Sequence, residues 1–405
     1  MEMTLLNATA RLGAPTLYGD PHPEQSAVSA RQDAYIRATE FDRPTMVFDL
    51  ALLRGKYRAL AAGLGRDVAV HYAVKANPAP AVIAALAAEG ARFDAASRGE
   101  IDLCLSLGVP AENVAFGNTI KRAVDIAHAH AVGVRQFAAD SEAELVKIAE
   151  NAPGARVILR LVMEASEADW PLSRKFGSSR REALRLMHYG RFLGLDMAGI
   201  SFHAGSQLRE PRMWATALDG ALALWTEAAE QGHALRILNI GGGFPAFYGQ
   251  PLPRTEDYAA QVIGMVRARF GEEVQVMAEP GRGLVAEAGV ICAEVILVAR
   301  KDQDDLARWV YLDIGKFSGL AETMDEAIRY QIETRYGEEA ETGPCILAGP
   351  SCDSADVLYE KRPVQLPESL RDGDKVRILC TGAYTSSYSS VGFNGFPPLA
   401  EVFLD

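Results

Sequence analysis

The stretch AVHYAVKANPAPAVIAALAAEGARFDA (residues 69–95) decides the fold. AVHYAV (69–74) is a short apolar run rich in valine and aromatics. PAVIAALAAEG (80–90) has helical spacing and ends on a glycine, and RFDA (92–95) is a second short run. Strand, helix and strand in so short a span predict two parallel strands joined by a crossover helix.

The same unit recurs outward from this stretch. NVAF (113–116), VRQFAA (134–139), RVILRLV (156–162), MAGISFH (197–203), RILNI (236–240) and VQVMA (274–278) read as strands. RGEIDLCLSLG (98–108) and SEAELVKIAENAPG (141–154) have the spacing of the helices between them. Eight alternations predict an α/β protein with a (β/α)8 TIM barrel over residues 45–284, and a doubly wound sheet is the alternative. Beyond about residue 285 the runs EVILVARK, WVYLDIG, CILAGPS, GDKVRILC and AEVFLD are joined by turn signals such as Asp372-Gly373-Asp374. They predict a C-terminal all-β domain over 285–405, sandwich-like or barrel-like. Residues 1–44 show no clear pattern and are expected to pack on that domain.

A chain of 405 residues accommodates a barrel and a second module. No run of eighteen apolar residues occurs, which predicts no membrane span. The start MEMTLLNATARLGAPTLYGD lacks a basic, then apolar, secretory pattern. Cys104, Cys292, Cys345, Cys352 and Cys380 are scattered, with no CxxC pair. That disfavours a disulfide framework or zinc site and predicts a cytoplasmic setting. A formal net charge of -12 disfavours nucleic acid as a partner and is compatible with cationic small molecules, though simple solubility is the plainer explanation.

In a barrel, residues at the C-terminal ends of the strands converge on one mouth. Here these are Lys75, Asp94, Gly117–Asn118, Asp140, Arg160, His203, Gly241–Gly243 and Glu279. Lys75 closes an apolar strand. Partial desolvation is expected to lower its pKa and suit it to attack an aldehyde; a lysine snorkelling from a strand end is the plain alternative. Gly241, Gly242 and Gly243 follow a strand directly and leave backbone N–H groups open to an anion, although tight turns use such runs too. In AEPGRG (278–283), Glu279 is placed to meet a heterocyclic nitrogen and Arg282 a phosphate, or the two form a structural pair. His203, alone, reads as a core residue or proton carrier. No second ligand stands at metal spacing, so no metal is expected.

YAVKAN, FDAASRGEI, KFG, SFHAGSQ, IGGGFP, EPGR, GPSCDSAD and GAYT occur together and in this order. The set resembles the fold type III pyridoxal-phosphate-dependent decarboxylases of ornithine, lysine, diaminopimelate and arginine, from about residue 44 to the C-terminus. The resemblance implies pyridoxal 5′-phosphate as cofactor, with Lys75 as the Schiff-base lysine, His203 stacked on the cofactor ring and Glu279 on the pyridine nitrogen. Ser206, Gly241–Gly243, Arg282 and Tyr384 would grip the phosphate, and Asp94, Glu100 and Arg160 would lie near the lysine and ring. Cys352 would be the proton donor to Cα, though a buried structural cysteine is its alternative. Asn239 stands where animal ornithine decarboxylases have Asp.

The resemblance further implies an obligate homodimer, in which Cys352 and Asp353 serve the neighbouring subunit. Lys175 and Asp356 would pair across the interface and Phe393 would line it. Cys352-Asp353-Ser354, and the lack of an arginine after Phe393-Asn394, favour a substrate ending in an amine, because an unpaired distal carboxylate is costly to bury. Asp353 would meet that amine. In DIGKFSGLAETMDEAIRYQIE (313–333), Glu322, Asp325 or Glu326 would supply a second carboxylate, or the segment is a solvated acidic helix. The expected activity is decarboxylation of L-ornithine and/or L-lysine to putrescine or cadaverine, in polyamine biosynthesis. Carboxynorspermidine or diaminopimelate decarboxylation, or a catalytically silent binding protein, are the alternatives.

Overall fold

The structure is a computed structural model that describes residues 28–163, 175–336 and 339–405. The chain enters through helix α1 (Ala30–Ala38) and strand β1 (Thr45–Asp49). Ser29 and Gln32 close α1 with reciprocal side-chain-to-backbone bonds, Gln32 N to Ser29 Oγ at 3.1 Å and Ser29 N to Gln32 Oε1 at 2.9 Å. Asp49 then caps helix α2 (Leu50–Leu64), accepting from Ala51 N at 2.8 Å.

The barrel follows: β2 (Ala69–Ala73), β3 (Arg92–Ala95), β4 (Val114–Phe116), β5 (Gln136–Ala139), β6 (Arg156–Arg160), β7 (Asp196–Ser201), β8 (Ile237–Asn239) and β9 (Gln275–Ala278). All eight pair in parallel, and β9 returns to β2 at Ala69↔Met277 to close the ring. Ile158, Ala198, Ile237 and Met277 fill its interior, which is therefore a packed core with the site confined to its rim.

A second, mixed sheet of eight strands lies beyond. Its path is β12 (Ile332–Thr334), β15 (Lys375–Ile378), β10 (Gly289–Ala299), β11 (Arg308–Leu312), β13 (Thr342–Ala348) and β14 (Val364–Pro367), with β1 and β16 (Ala400–Leu404) attached through β10. The long β10 is shared by both halves and shifts register between Val295 and Leu297, so one bulged strand joins them in a single sheet. β1 lies antiparallel to β10 and parallel to β16. Thr45–Asp49, expected at the start of the barrel, thus belongs to this second sheet. Its five residues are all buried, and an apolar run of that kind does not reveal which sheet will take it. Buried Gln32 of α1 donates to Val47 O at 2.9 Å and to Ala288 O at 2.8 Å, and Asp33 pairs with Arg377 at 2.8 Å, so the described part of the N-terminal segment packs on the sheet. Residues 1–27 lie outside the described residues.

The two domains meet tightly behind the barrel mouth. Asn77 Nδ2 donates to Gly382 O at 3.0 Å, and Tyr384 N to Ala76 O at 2.8 Å. A Cβ at Gly382 would stand 1.9 Å from Val285 O, so no larger residue fits without moving backbone. Gly382→Ala is expected to destabilise the protein by about 1–3 kcal/mol through overpacking. Urea unfolding measures this; an unchanged midpoint would contradict the close domain contact.

Candidate active site

Seven of the eight strand ends deliver a chemically useful side chain or an open backbone to the rim, and the turns after them set the geometry. Lys75 sits on a single 3₁₀ turn (Val74–Ala76) directly after β2. Lys75 is exposed, and its Nζ makes no hydrogen bond among the described residues. Burial pushes the Lys75 amine down, but Asp94, Tyr384 and Glu279 around it pull it up further, and the net direction is upward. This corrects the expectation of a lowered pKa: the strand end desolvates the ammonium, and carboxyl groups from other strands more than compensate.

Asp94 ends β3 buried, and its Oδ1 has no hydrogen-bond partner. Burial raises its carboxyl, against the pull of Lys75 and Arg160. A Cβ at Gly117 would lie 1.7 Å from Asp94 Oδ1, so a larger residue there would displace this carboxylate. Glu100 accepts from Ala96 N at 2.6 Å and is raised chiefly by burial. Arg160, at the end of β6, lies over the Phe176 ring at 5.2 Å, and Asp140 draws the same segment in by accepting from Gly177 N at 2.8 Å.

His203 follows β7. Burial first, then Arg160 and Lys75, push its imidazole down to about 3, so the ring is neutral at physiological pH. Its Nδ1 accepts from Gly205 N at 3.3 Å. Beside it Gly241 (φ 70°) and Gly243 (φ 122°) adopt backbone that favours glycine. Added Cβ atoms would stand 2.3 Å from Phe202 O at Gly241 and 2.8 Å from Glu279 O at Gly242. No side chain can therefore cover the backbone of this run.

Asn239 now has a clear part. Its Oδ1 accepts from Gly241 N at 2.8 Å while Nδ2 donates to Glu279 Oε1 at 2.5 Å, so one amide ties the glycine run to the carboxyl. Glu279 is pushed up to about 7, first by burial and then by Asp94, with Asn239, Lys75 and Arg160 opposing. Arg282 opens a short helix (Arg282–Val285) and is buried. Its Nε donates to Ser206 Oγ at 3.3 Å and its Nη1 to Tyr248 Oη at 3.1 Å. Tyr384, held at φ 54°, lies under the guanidinium at 5.0 Å. Tyr248 was not among the expected residues; its only signal is its place just after the glycine run.

Pyridoxal phosphate fits this arrangement. There is an amine without a hydrogen bond, an unpartnered buried carboxylate oxygen at Asp94, a glycine run too crowded for any side chain, and a protonatable carboxyl at Glu279. Residues 50–286 match the family model for the pyridoxal-dependent decarboxylase pyridoxal-binding domain. The chain belongs to the fold type III ornithine/lysine decarboxylase family. It is a pyridoxal-phosphate-dependent amino-acid decarboxylase. Lysine/ornithine decarboxylase of Selenomonas ruminantium is 34% identical over 365 residues, 89% of each chain. The crystal structure of Vibrio vulnificus lysine/ornithine decarboxylase complexed with putrescine superposes with a TM-score of 0.81 at 34% identity, over 93% of this chain and 99% of that one. Antizyme inhibitor 2 of Xenopus laevis is 33% identical over 338 residues, 80% of this chain and 73% of its own.

The expected substrate and interface residues lie apart from the rim. Cys352 and Asp353 sit on an exposed loop; among the described residues neither side chain bonds to Lys75 or its neighbours, and Cys352 N donates to Asn394 Oδ1 at 2.8 Å. Asp356, expected to pair with Lys175 across an interface, is buried at the root of this loop. It accepts from Lys316 N at 2.7 Å and from Ser351 Oγ at 2.7 Å, so its carboxylate is used within its own chain. Lys175 lies over the Phe176 ring at 4.9 Å. Phe393 is partly exposed and packs on Phe317, with ring centroids 4.9 Å apart.

The acidic segment forms 3₁₀ turns (Ala321–Glu326), broken by Asp325 at φ 53°, and not the solvated acidic helix that was the alternative reading. Glu322 gives both carboxylate oxygens to Arg282, which corrects its assignment as a substrate contact. Glu326 accepts from Lys361 N at 2.6 Å and pairs with Arg329 at 2.7 Å, so it too is taken up structurally. Asp325 is exposed and pairs only loosely with Lys361, at 3.6 Å. Among the described residues no helix is long and apolar enough to cross a membrane, and no group of three metal-ligating side chains occurs.

The raised Glu279 carboxyl has a stability consequence. Its native value of about 7 lies above the ordinary 4.5, so the stability it contributes is fully present below pH 4.5 and is lost as pH rises to about 7. Cofactor-free Glu279→Gln is expected to lack that component: its melting temperature should gain on the parent between pH 4.5 and 7 and hold a constant lead above. Parallel melting curves across this range would contradict the assignment.

Proposed function

We propose that this decarboxylase acts on L-ornithine and/or L-lysine, giving putrescine or cadaverine for polyamine biosynthesis, as an obligate homodimer with shared active sites in the cytoplasm. The observation that carries this reading is the Cys352–Asp353 loop. It presents a thiol and a carboxylate outward on a hydrogen-bonded root, while no thiol stands among the rim residues of the same chain. Exposed Val391, Phe393 and Phe396 nearby support burial of this face against a second copy. An outward carboxylate with no arginine beside it suits a substrate with a distal amine.

In this reading Lys75 takes the cofactor aldehyde, His203 lies against the ring face and Glu279 holds a proton toward the ring nitrogen. Ser206, Gly241–Gly243, Arg282 and Tyr384 bind the phosphate, with Asp94 and Arg160 near the lysine. Bound there, pyridoxal phosphate supplies an electron sink for the charge left at Cα when carbon dioxide departs. The protein orients the scissile bond, and Cys352 delivers a proton to Cα in the partner's site. Asp353 meets the distal amine. Asp325, exposed on its turn, is the remaining candidate for a second carboxylate there.

Comparison of kcat/KM for ornithine, lysine, arginine and diaminopimelate tests the substrate. Ornithine or lysine should lead, and a preference for diaminopimelate would overturn the reading. Lys75→Ala should lose several orders of magnitude in turnover and the visible band of lysine-bound cofactor. Mixing Lys75→Ala with Cys352→Ala subunits should restore activity that neither has alone. No recovery on mixing would contradict the shared site.

A further inference from the structure

We infer that Glu322 is a positioning residue for the cofactor phosphate, acting through Arg282 and joining the acidic segment of the second domain to the phosphate corner of the barrel. The inference rests on the cofactor placement proposed above. Arg282 and Glu322 are both buried, and they meet through two parallel bonds, Nη1 to Oε2 and Nη2 to Oε1, each 2.5 Å. An arginine has five N–H donors in a fixed plane. Here Nε serves Ser206, Nη1 serves Tyr248 and Glu322, and Nη2 serves Glu322. Those four bonds leave one N–H and the residual charge to an incoming anion.

Neither partner was obliged to sit this way. A guanidinium beside an anion cradle can turn on its long side chain unless something fixes its plane, and a fork-to-fork carboxylate is the strongest fixture among side chains. Glu322 comes from the turn Ala321–Glu326 of the second domain, whereas Arg282 follows the barrel strand β9. The turn is braced from both ends: Thr323 Oγ1 donates to Leu320 O at 2.7 Å, and Glu326 accepts from Lys361 N at 2.6 Å. Glu322 therefore holds Arg282 from a turn that is itself hydrogen-bonded at both ends. Tyr248 and Tyr384, 5.9 Å and 5.0 Å from the guanidinium, close its remaining sides.

A residue that contacted the substrate, or that merely stabilised the fold, would not distinguish a phosphorylated cofactor from an unphosphorylated one. The holo-protein and its Glu322→Gln variant are therefore stripped of cofactor and titrated with pyridoxal phosphate and with pyridoxal, following the absorbance of the lysine-bound form. Loss of one charge-assisted fork is expected to weaken pyridoxal phosphate binding by roughly 10- to 100-fold and to leave pyridoxal binding unchanged. Arg282→Ala should erase the preference for the phosphorylated form, and Arg282→Ala/Glu322→Gln should match Arg282→Ala alone. Glu322→Asp, which keeps the charge on a shorter stem, should fall between and serves if Glu322→Gln does not fold.

Equal weakening toward both cofactors, or unchanged phosphate affinity with a raised substrate KM, would overturn the role of Glu322. Failure of the parent protein to form the lysine-bound band with either cofactor would overturn the cofactor placement itself, and the inference with it.

Discussion

Everything at the barrel rim depends on charge compensation among ionisable side chains that the strand ends bring together. Lys75, Asp94, Arg160 and Glu279 come from four different strands, and each would be costly to bury alone. Together two cationic and two acidic groups offset one another, so Lys75 is raised on balance despite burial, and Lys75 and Arg160 oppose the rise that burial gives Asp94. Glu279 lies near Asp94 with Asn239 bonded to its carboxyl, and burial and Asp94 push it up to about 7. A carboxyl poised there is suited to share a proton with a basic ring nitrogen.

The position of the site follows from a joint between domains. The turn carrying Lys75 is gripped from the second domain: Tyr384 N donates to Ala76 O, Asn77 to Gly382 O, and Ser387 Oγ to Lys75 O at 3.2 Å. Glycines at 241, 243 and 382 are needed where backbones approach too closely for a side chain. The barrel thus supplies the reactive groups, and the sheet fixes the turn on which the central one stands.

How much of this was legible in the sequence depended on whether the cause was local. The barrel strands, each a short apolar run followed by a helix, could be read because their signal lies within ten residues. β12 and β14 could not: Ile332–Thr334 is only partly buried, and Val364–Pro367 ends on a proline. The rim residues followed from strand ends alone. The direction of the Lys75 shift did not, because burial can be read from one strand whereas Asp94, Tyr384 and Glu279 arrive from distant parts of the chain. Glu322 and Glu326 read as candidate substrate carboxylates or as a solvated acidic face, and only the fold reveals that Arg282, Arg329 and two backbone N–H groups use them up.

The Cys352–Asp353 loop shows why outward placement need not mean an unformed site. Asp356 accepts from the Lys316 and Ser351 backbones and the Ser351 hydroxyl, and its own carbonyl accepts from Gly349 N at 2.8 Å. Glycines at 315 and 349 are required beside it, since a Cβ at either would stand within 2.3 Å of its carboxylate. With Asn394 holding Cys352 N as well, the loop needs nothing from its own barrel to keep its shape. Groups fixed in this way lose little further freedom on meeting a second surface, so the cost of ordering falls on folding and not on association.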